Sequence, residues 1–563
     1  MRLTRPLFAL ALAVQLTASA AAAGSSGAYL AARHAGINND YVAAAEYFTR
    51  ALSRDPNNPG LMDNVVTVNV NAGWVDRAVP VAQVMIDSEM PSQVAAMVVL
   101  ADMAAQDEFS QIVESFESGQ SVGALVDGLT AAWAMLGAGQ VSLALEKFDE
   151  VASQQGLKSF ALYHKALALA SVGDFEGADE IFSGRAEGPL QVSRRGVLAH
   201  VQVLSQLDRN EGAIDLIEQA FGANPAPIFA QLLEDLATGQ QVPFTLATDA
   251  GQGIGEVFHS IASALVGEAA DGYTLVYARL ASHLNPGNVD ALLLIAALLE
   301  DLEQYDLATR AYDAVPHDHA AFVTAEIGRA DALLAAGRDD AAVEVLKQLA
   351  KAHPELLQVQ NKLGDTLRRL DRFEEAQPVY DRAVALIKTP DATNWPVFFS
   401  RGIALERIGQ WEAAEADFRR ALELQPEQPQ VLNYLGYSLV EMQSNLDEAL
   451  DMIERAVAGR PNDGYITDSL GWVLYRMGRY DEAVGHMERA AALMPTDPII
   501  NDHLGDVYWS VGRQIEAQFQ WRRALSFDPE EDEATRIRRK LEVGLDQVLE
   551  DEGAAPLGVV EDG

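Results

Sequence analysis

The sequence predicts an all-α protein, a right-handed superhelical solenoid of about twelve to fourteen helix hairpins, some of them degenerate. Three observations lead there. The first is a recurring pattern of Ala, an aromatic four residues on, Ala three further and Pro five beyond. It occurs as Ala44, Phe48, Ala51, Pro56; as Ala414, Phe418, Ala421, Pro426; and as Ala517, Trp521, Ala524, Pro529. The second is its period: the leading alanine returns at Ala308, Ala342, Ala376, Ala414, Ala449, Ala483 and Ala517, steps of about 34 residues. The third is the lack of any long Val/Ile/Thr alternation bounded by hairpin turns, the mark of sheet.

The elements follow in order. Arg2 and Arg5, the apolar run Leu7 to Leu16 and the small residues Thr17 to Gly24 have the three-part form of a secretory signal. The expectation is therefore a cleaved leader over 1–23, cut after Ala20, Ala22 or Ala23, and a periplasmic mature protein that does not insert directly into a membrane. An N-terminal repeat array is expected over 24–225, with leading alanines at Ala44, Ala78, Ala144, Ala178 and Ala213 and a degenerate section at 93–123. Leu61 to Val70 alternates valines but falls where a first repeat helix belongs, so it reads as helix. Residues 226–272 form an irregular or degenerate segment.

A C-terminal array spans 273–530. Weaker copies put Ile453 or Met487 at the aromatic site, and the longer step at Lys388 to Trp395 marks a loop insertion. Residues 531–549 carry Ile537, Leu541, Leu545 and Val548 at helical spacing and read as a capping helix. Residues 550–563 read as an acidic disordered tail.

The pattern has a physical cause. Apolar residues at i, i+3, i+4 and i+7 make one stripe per helix. Ala414 and Ala421, or Gly436 and Gly471, let a neighbouring helix approach, and the aromatic between the alanines fills the space left. The closing proline cannot continue the helix. One hairpin cannot bury its stripe alone; a stack can.

Composition excludes several function classes. Lys and Arg total 41 against 82 Asp and Glu, a net charge of −41. That sum opposes binding to nucleic acid and to anionic lipid. Cysteine is absent, which removes thiolate metal sites, iron–sulfur clusters and thiol catalysis. His317, Asp318 and His319 lie close in a turn, but zinc wants three or four convergent ligands. Gly251-Gln252-Gly253-Ile254-Gly255 lacks the phosphate-loop spacing and the following Lys-Ser/Thr, and reads as a flexible linker before a helix starting near Glu256. No catalytic, metal or cofactor residue is assigned, and no enzyme activity is expected.

Leu363-Gly364, Leu470-Gly471 with Tyr475, and Leu504-Gly505 with Tyr508 complete the repeat, and the chain resembles the tetratricopeptide repeat (TPR) family, with phase kept from Gln358 to Glu530. The resemblance implies a concave groove lined by the first helix of each pair. It assigns to that groove Asn361, Lys362, Asp365, Arg368 and Arg369; then Phe399, Glu406 and Arg407; then Asn433, Tyr434 and Tyr437; then Asp468, Trp472, Tyr475 and Arg476; and finally Asp502, His503, Asp506 and Trp509. Trp472 and Tyr475 suit either groove or helix packing. Asp365 and Asp468 depart from the carboxylate-clamp arrangement of some TPR proteins.

The stretch Asn433 to Ala524 is similar to TPR proteins of Gram-negative bacteria of the exported type. The expected function is a non-catalytic exported scaffold or adaptor holding a protein or peptide segment, in cell-envelope biogenesis. The alternatives are a cytoplasmic co-chaperone, or a carbohydrate-binding or enzyme-accessory subunit with its site in 226–272.

Overall fold

The computed structural model describes residues 26–553, apart from 187, 189, 191, 192, 223 and 224. The expected leader at 1–23 and the tail beyond 553 lie outside the described residues. The chain divides into two compact units, residues up to 349 and residues from 350 onward. Among the described residues all regular structure is helical, and it is organised as hairpins of two antiparallel helices joined by short turns. The repeat register is that of the sequence. Ala44, Ala78, Ala144, Ala178, Ala213, Ala308, Ala342, Ala376, Ala414, Ala449, Ala483 and Ala517 are all fully buried.

From residue 350 onward, the first helices Leu357–Arg369, Trp395–Arg407, Pro429–Glu441, Gly464–Arg476 and Pro498–Ser510 each pair with a following helix. A glycine in each first helix lets the second come close. A Cβ on Gly364 would lie 2.6 Å from Tyr380, on Gly402 2.6 Å from Phe418, on Gly436 2.8 Å from Ile453 and on Gly471 2.7 Å from Met487. Gly505 leaves the same gap for Trp521. The repeat's large residue thus sits over its own glycine, which is why the two residue types recur together.

The insertion at Lys388 to Trp395 becomes a short 3-10 turn, Ala392–Asn394, closed by the Asp391 carboxylate on the Thr393 N–H at 2.8 Å. The expected single capping helix is two, Glu531–Val543 and Leu545–Asp551. Gly544 breaks it at φ +86°, a left-handed conformation that favours glycine. Residues 550 and 551, expected in the tail, finish the second of these helices.

In the unit up to residue 349, helices alternate from 26–37 through Asn210–Phe221, and Leu61 to Val70 lies in the helix Pro59–Asn71. The section 93–123 is a hairpin, Gln93–Ala105 and Phe109–Glu117. Residues 226–272 begin with the helix Pro227–Ala237 and continue through a loop into the long helix Ala250–Leu265.

That long helix and its partner Asp271–Leu284 do not extend the stack outward. They lie against the first helices Pro59–Asn71, Gln93–Ala105, Ala124–Gly137 and Lys158–Ser171. The Gly-rich motif is therefore helix and not linker. Gly253 sits on the face of Trp133, and Gly255 would bring a Cβ within 3.1 Å of Leu284. Ile254, Val257, Phe258, Leu275 and Ala278 are fully buried. Tyr163 donates to Glu256 at 2.8 Å, Asn71 Nδ2 to the Gly272 carbonyl at 3.0 Å, and Tyr273 to Gln93 at 3.1 Å. The inner face of these early hairpins is filled by the chain's own residues 250–284.

Candidate functional site

The inner face of the unit from residue 350 onward is open where four first helices run side by side. A cavity of about 460 Å³ lies there, walled by Arg407, Asn433, Tyr437, Glu441, Asp468 and His503 among others. Tyr434 bonds through its hydroxyl to Glu406 at 3.2 Å and stands edge-on to Phe399. Arg407 is 3.5 Å from Glu406 and lies over Phe373. Asn433 Oδ1 is buried and has no hydrogen-bond partner. A buried amide oxygen without a partner in this wall can accept from a backbone N–H of an extended peptide.

Among the lining residues not expected from the sequence, three are large, exposed and apolar. Tyr465 is 55% exposed, and Ile499 and Met442 are each 43% exposed. Tyr465 and Ile499 are the second residues of Gly464–Arg476 and Pro498–Ser510. They lie six residues before Gly471 and Gly505, a register position available in the sequence. Large apolar side chains left in solvent beside polar groups are what a protein interface needs.

The upstream group is placed differently. Asn361 Oδ1 and Arg368 Nε are buried without partners, Asp365 accepts from Tyr380 at 2.7 Å, and Arg369 is exposed. Lys362 is half-buried in the same helix. None of these residues lines the cavity.

Further along, the expected groove residues are packing residues. Trp472 and Tyr475 are buried and stack on one another, ring centroids 4.7 Å apart, and the Trp472 indole N–H donates to Glu441 at 2.7 Å. Arg476 reaches Glu441 at 3.8 Å. Asp468 lines the cavity but is mostly buried and accepts from His503 at 3.0 Å. Burial alone would lower the His503 pKa; Asp468, with Asp502 and Asp506, outweighs it and the net direction is up.

Asp502, Asp506 and Trp509 require a correction, because the chain's own cap occupies them. Lys540 has no exposed side-chain surface and places Nζ 2.8 Å from Asp502 and 2.6 Å from Asp506. Asp506, 1% exposed, also accepts from the Trp521 indole at 2.9 Å, and Trp509 donates to Asp546 at 2.8 Å. A buried carboxylate must be paired. The cation comes from the cap helix Glu531–Val543, so no partner can reach it.

Among the described residues no group of three or more His, Asp or Glu side chains is placed to hold a metal ion. His317 packs against Phe322, and His319 Nδ1 accepts from the Ala321 N–H at 3.1 Å.

Profiles of the tetratricopeptide repeat match residues 325–355, 355–427, 399–464 and 468–497. The TPR repeat-containing protein PA4667 of Pseudomonas aeruginosa is 29% identical over 159 residues, 28% of this chain and 26% of that protein. The chain thus spans about a quarter of the length of this curated relative. Among solved structures, the APC/C hetero-tetramer Cut9-Hcn1 aligns with 92% of this chain and 96% of its own at 14% identity, with a TM-score of 0.37. A tetratricopeptide repeat protein from Parabacteroides merdae aligns with 46% of this chain and 98% of its own at 15% identity and a TM-score of 0.38. YrrB, described as a TPR protein with an unusual peptide-binding site, aligns with 35% of this chain and 99% of its own at 20% identity and a TM-score of 0.28. Residues 325–464 and 468–497 of this chain thus match models of the tetratricopeptide repeat.

Proposed function

We propose that this protein is an exported, non-catalytic scaffold of the periplasm that holds an extended segment of another protein in the cavity between Glu406 and His503, in the service of cell-envelope biogenesis. One observation carries the binding mode: the buried, unpartnered Asn433 Oδ1 lies in a wall whose neighbours Tyr465 and Ile499 are exposed. A main-chain N–H on Asn433 satisfies that atom, and apolar side chains on either side cover Tyr465 and Ile499. The early hairpins do not offer an equivalent groove, because residues 250–284 fill it. The export part of the reading rests on the leader pattern at 1–23.

The test is site-specific photo-crosslinking from position 465 in intact cells, with position 485 on the outer helix surface as the control. Adducts with a protein at 465 and none at 485 support the reading, whereas equal labelling at both sites removes it. Sequencing the N-terminus of the protein recovered from cells tests export: a chain starting at residue 1 or 2 returns the protein to the cytoplasm.

A further inference from the structure

Away from the groove, a second cavity of about 370 Å³ lies among the helices Arg194–Gln206, Pro227–Ala237 and Val289–Asp301. Its size is that of a small-molecule site. Much of its wall is apolar, with Leu198, Phe229, Leu232 and Leu293. The polar part holds several unused donors.

Asn288 is 3% exposed and spends its Oδ1 on the Ala291 N–H at 3.1 Å, capping Val289–Asp301, while its Nδ2 has no partner. His319 accepts through Nδ1, so its ring proton sits on Nε2. Burial lowers its pKa and keeps that neutral donor form at pH 7. Arg194 gives one nitrogen to Asp290 at 3.2 Å and stays half-exposed, with further N–H groups to offer. Its neighbour Arg195 is committed to Glu256 and Asp290.

Three side-chain acceptors in the same wall are engaged. Gln202 Oε1 takes the Thr245 N–H at 2.9 Å, Gln252 Oε1 takes Thr248, and Asp290 holds both arginines. A group with acceptors only complements such a set, and a planar carboxylate fits a guanidinium edge. A dianionic phosphate would need more cationic charge than Arg194, already bonded to Asp290, supplies.

We propose that this cavity binds a small carboxylic acid, with its carboxylate against Asn288 Nδ2, His319 Nε2 and Arg194 and its apolar body against Phe229 and Leu232. The carboxylate comes from a free acid or from the last residue of a peptide, and the volume accepts either.

Titration calorimetry on the full chain with 4-phenylbutyrate, its amide, and a tetrapeptide ending in leucine as free acid or amide separates the two sources. The expected result is saturation by a carboxylate at about millimolar concentration or below, with the matching amide at least tenfold weaker. Saturation by the free acid, the peptide or both identifies the source. Asn288→Asp keeps the helix-capping acceptor but replaces the donor with a like charge, and binding should fall at least tenfold. Arg194→Gln, at a half-exposed position, should weaken binding by a similar factor with an unchanged melting curve, and it stands alone should the first variant not fold. Equal binding of acid and amide, no saturation by any carboxylate, or full affinity in a folded variant overturns the proposal.

Discussion

His503 lies flat on Trp472, ring centroids 3.9 Å apart and planes 13° from parallel, with the Asp468 carboxylate 3.0 Å from its Nδ1. A protonated imidazole gains from both neighbours, from the carboxylate by charge and from the indole face as a cation over a ring. Because the folded pKa of His503 is raised, the stability it contributes is fully present below the ordinary histidine value. It is lost as pH rises through the raised one. The melting temperature of the natural protein should exceed that of His503→Gln most at about pH 6, and the gap should narrow above neutrality. A gap that widens with pH would reverse the assigned charge state.

The glycine beneath each large repeat residue makes a second prediction. Gly402→Ala places a methyl 2.6 Å from the Phe418 ring, itself fully buried. Overpacking of this kind should cost about 1–3 kcal/mol in urea unfolding. Gly485, also in a helix, has open space around it, so Gly485→Ala should be neutral or stabilise by about 0.5–1 kcal/mol. Equal effects at the two positions would mean that helix propensity, and not close approach, governs position 402.

Binding and packing separate within the groove. Tyr465 and Ile499 are exposed and line the cavity, so Tyr465→Ala with Ile499→Ala should weaken partner capture while stability stays within about 0.5 kcal/mol. Trp472→Ala should instead cost about 3–5 kcal/mol, since it removes a buried stack. Capture by the double variant at natural strength would move the docking surface elsewhere.

How much of this was legible follows from the range of the contacts involved. The repeat register was legible because Ala414 meets its partner helix within one hairpin, and spacing alone exposes that. The path of residues 250–284 was not. Gly253 packs on Trp133 and Asn71 bonds to Gly272, pairings across more than a hundred residues that leave no local period. Asp506 reads as a groove residue by position, and only Lys540, arriving from a helix beyond the last repeat, turns it inward. Tyr465 and Ile499 share a register position on first helices that the resemblance assigned to the groove, yet neither was chosen from the sequence.

Acid should loosen the unit up to residue 349 through His164. That ring is fully buried and accepts the Trp133 indole N–H on Nδ1 at 3.1 Å, which requires the neutral form. Burial lowers its pKa to about 4. A histidine with a depressed folded pKa contributes stability that is present above its unfolded value and lost as pH falls below it, because only the unfolded chain takes up the proton. Between neutrality and pH 5 the loss should reach roughly 2 kcal/mol. His164→Gln keeps an acceptor for Trp133 but cannot titrate, so its unfolding free energy should fall less over the same range. Direct titration of the His164 ring resonance checks the cause: a midpoint above pH 6 in the folded protein would remove histidine burial as the source of acid sensitivity.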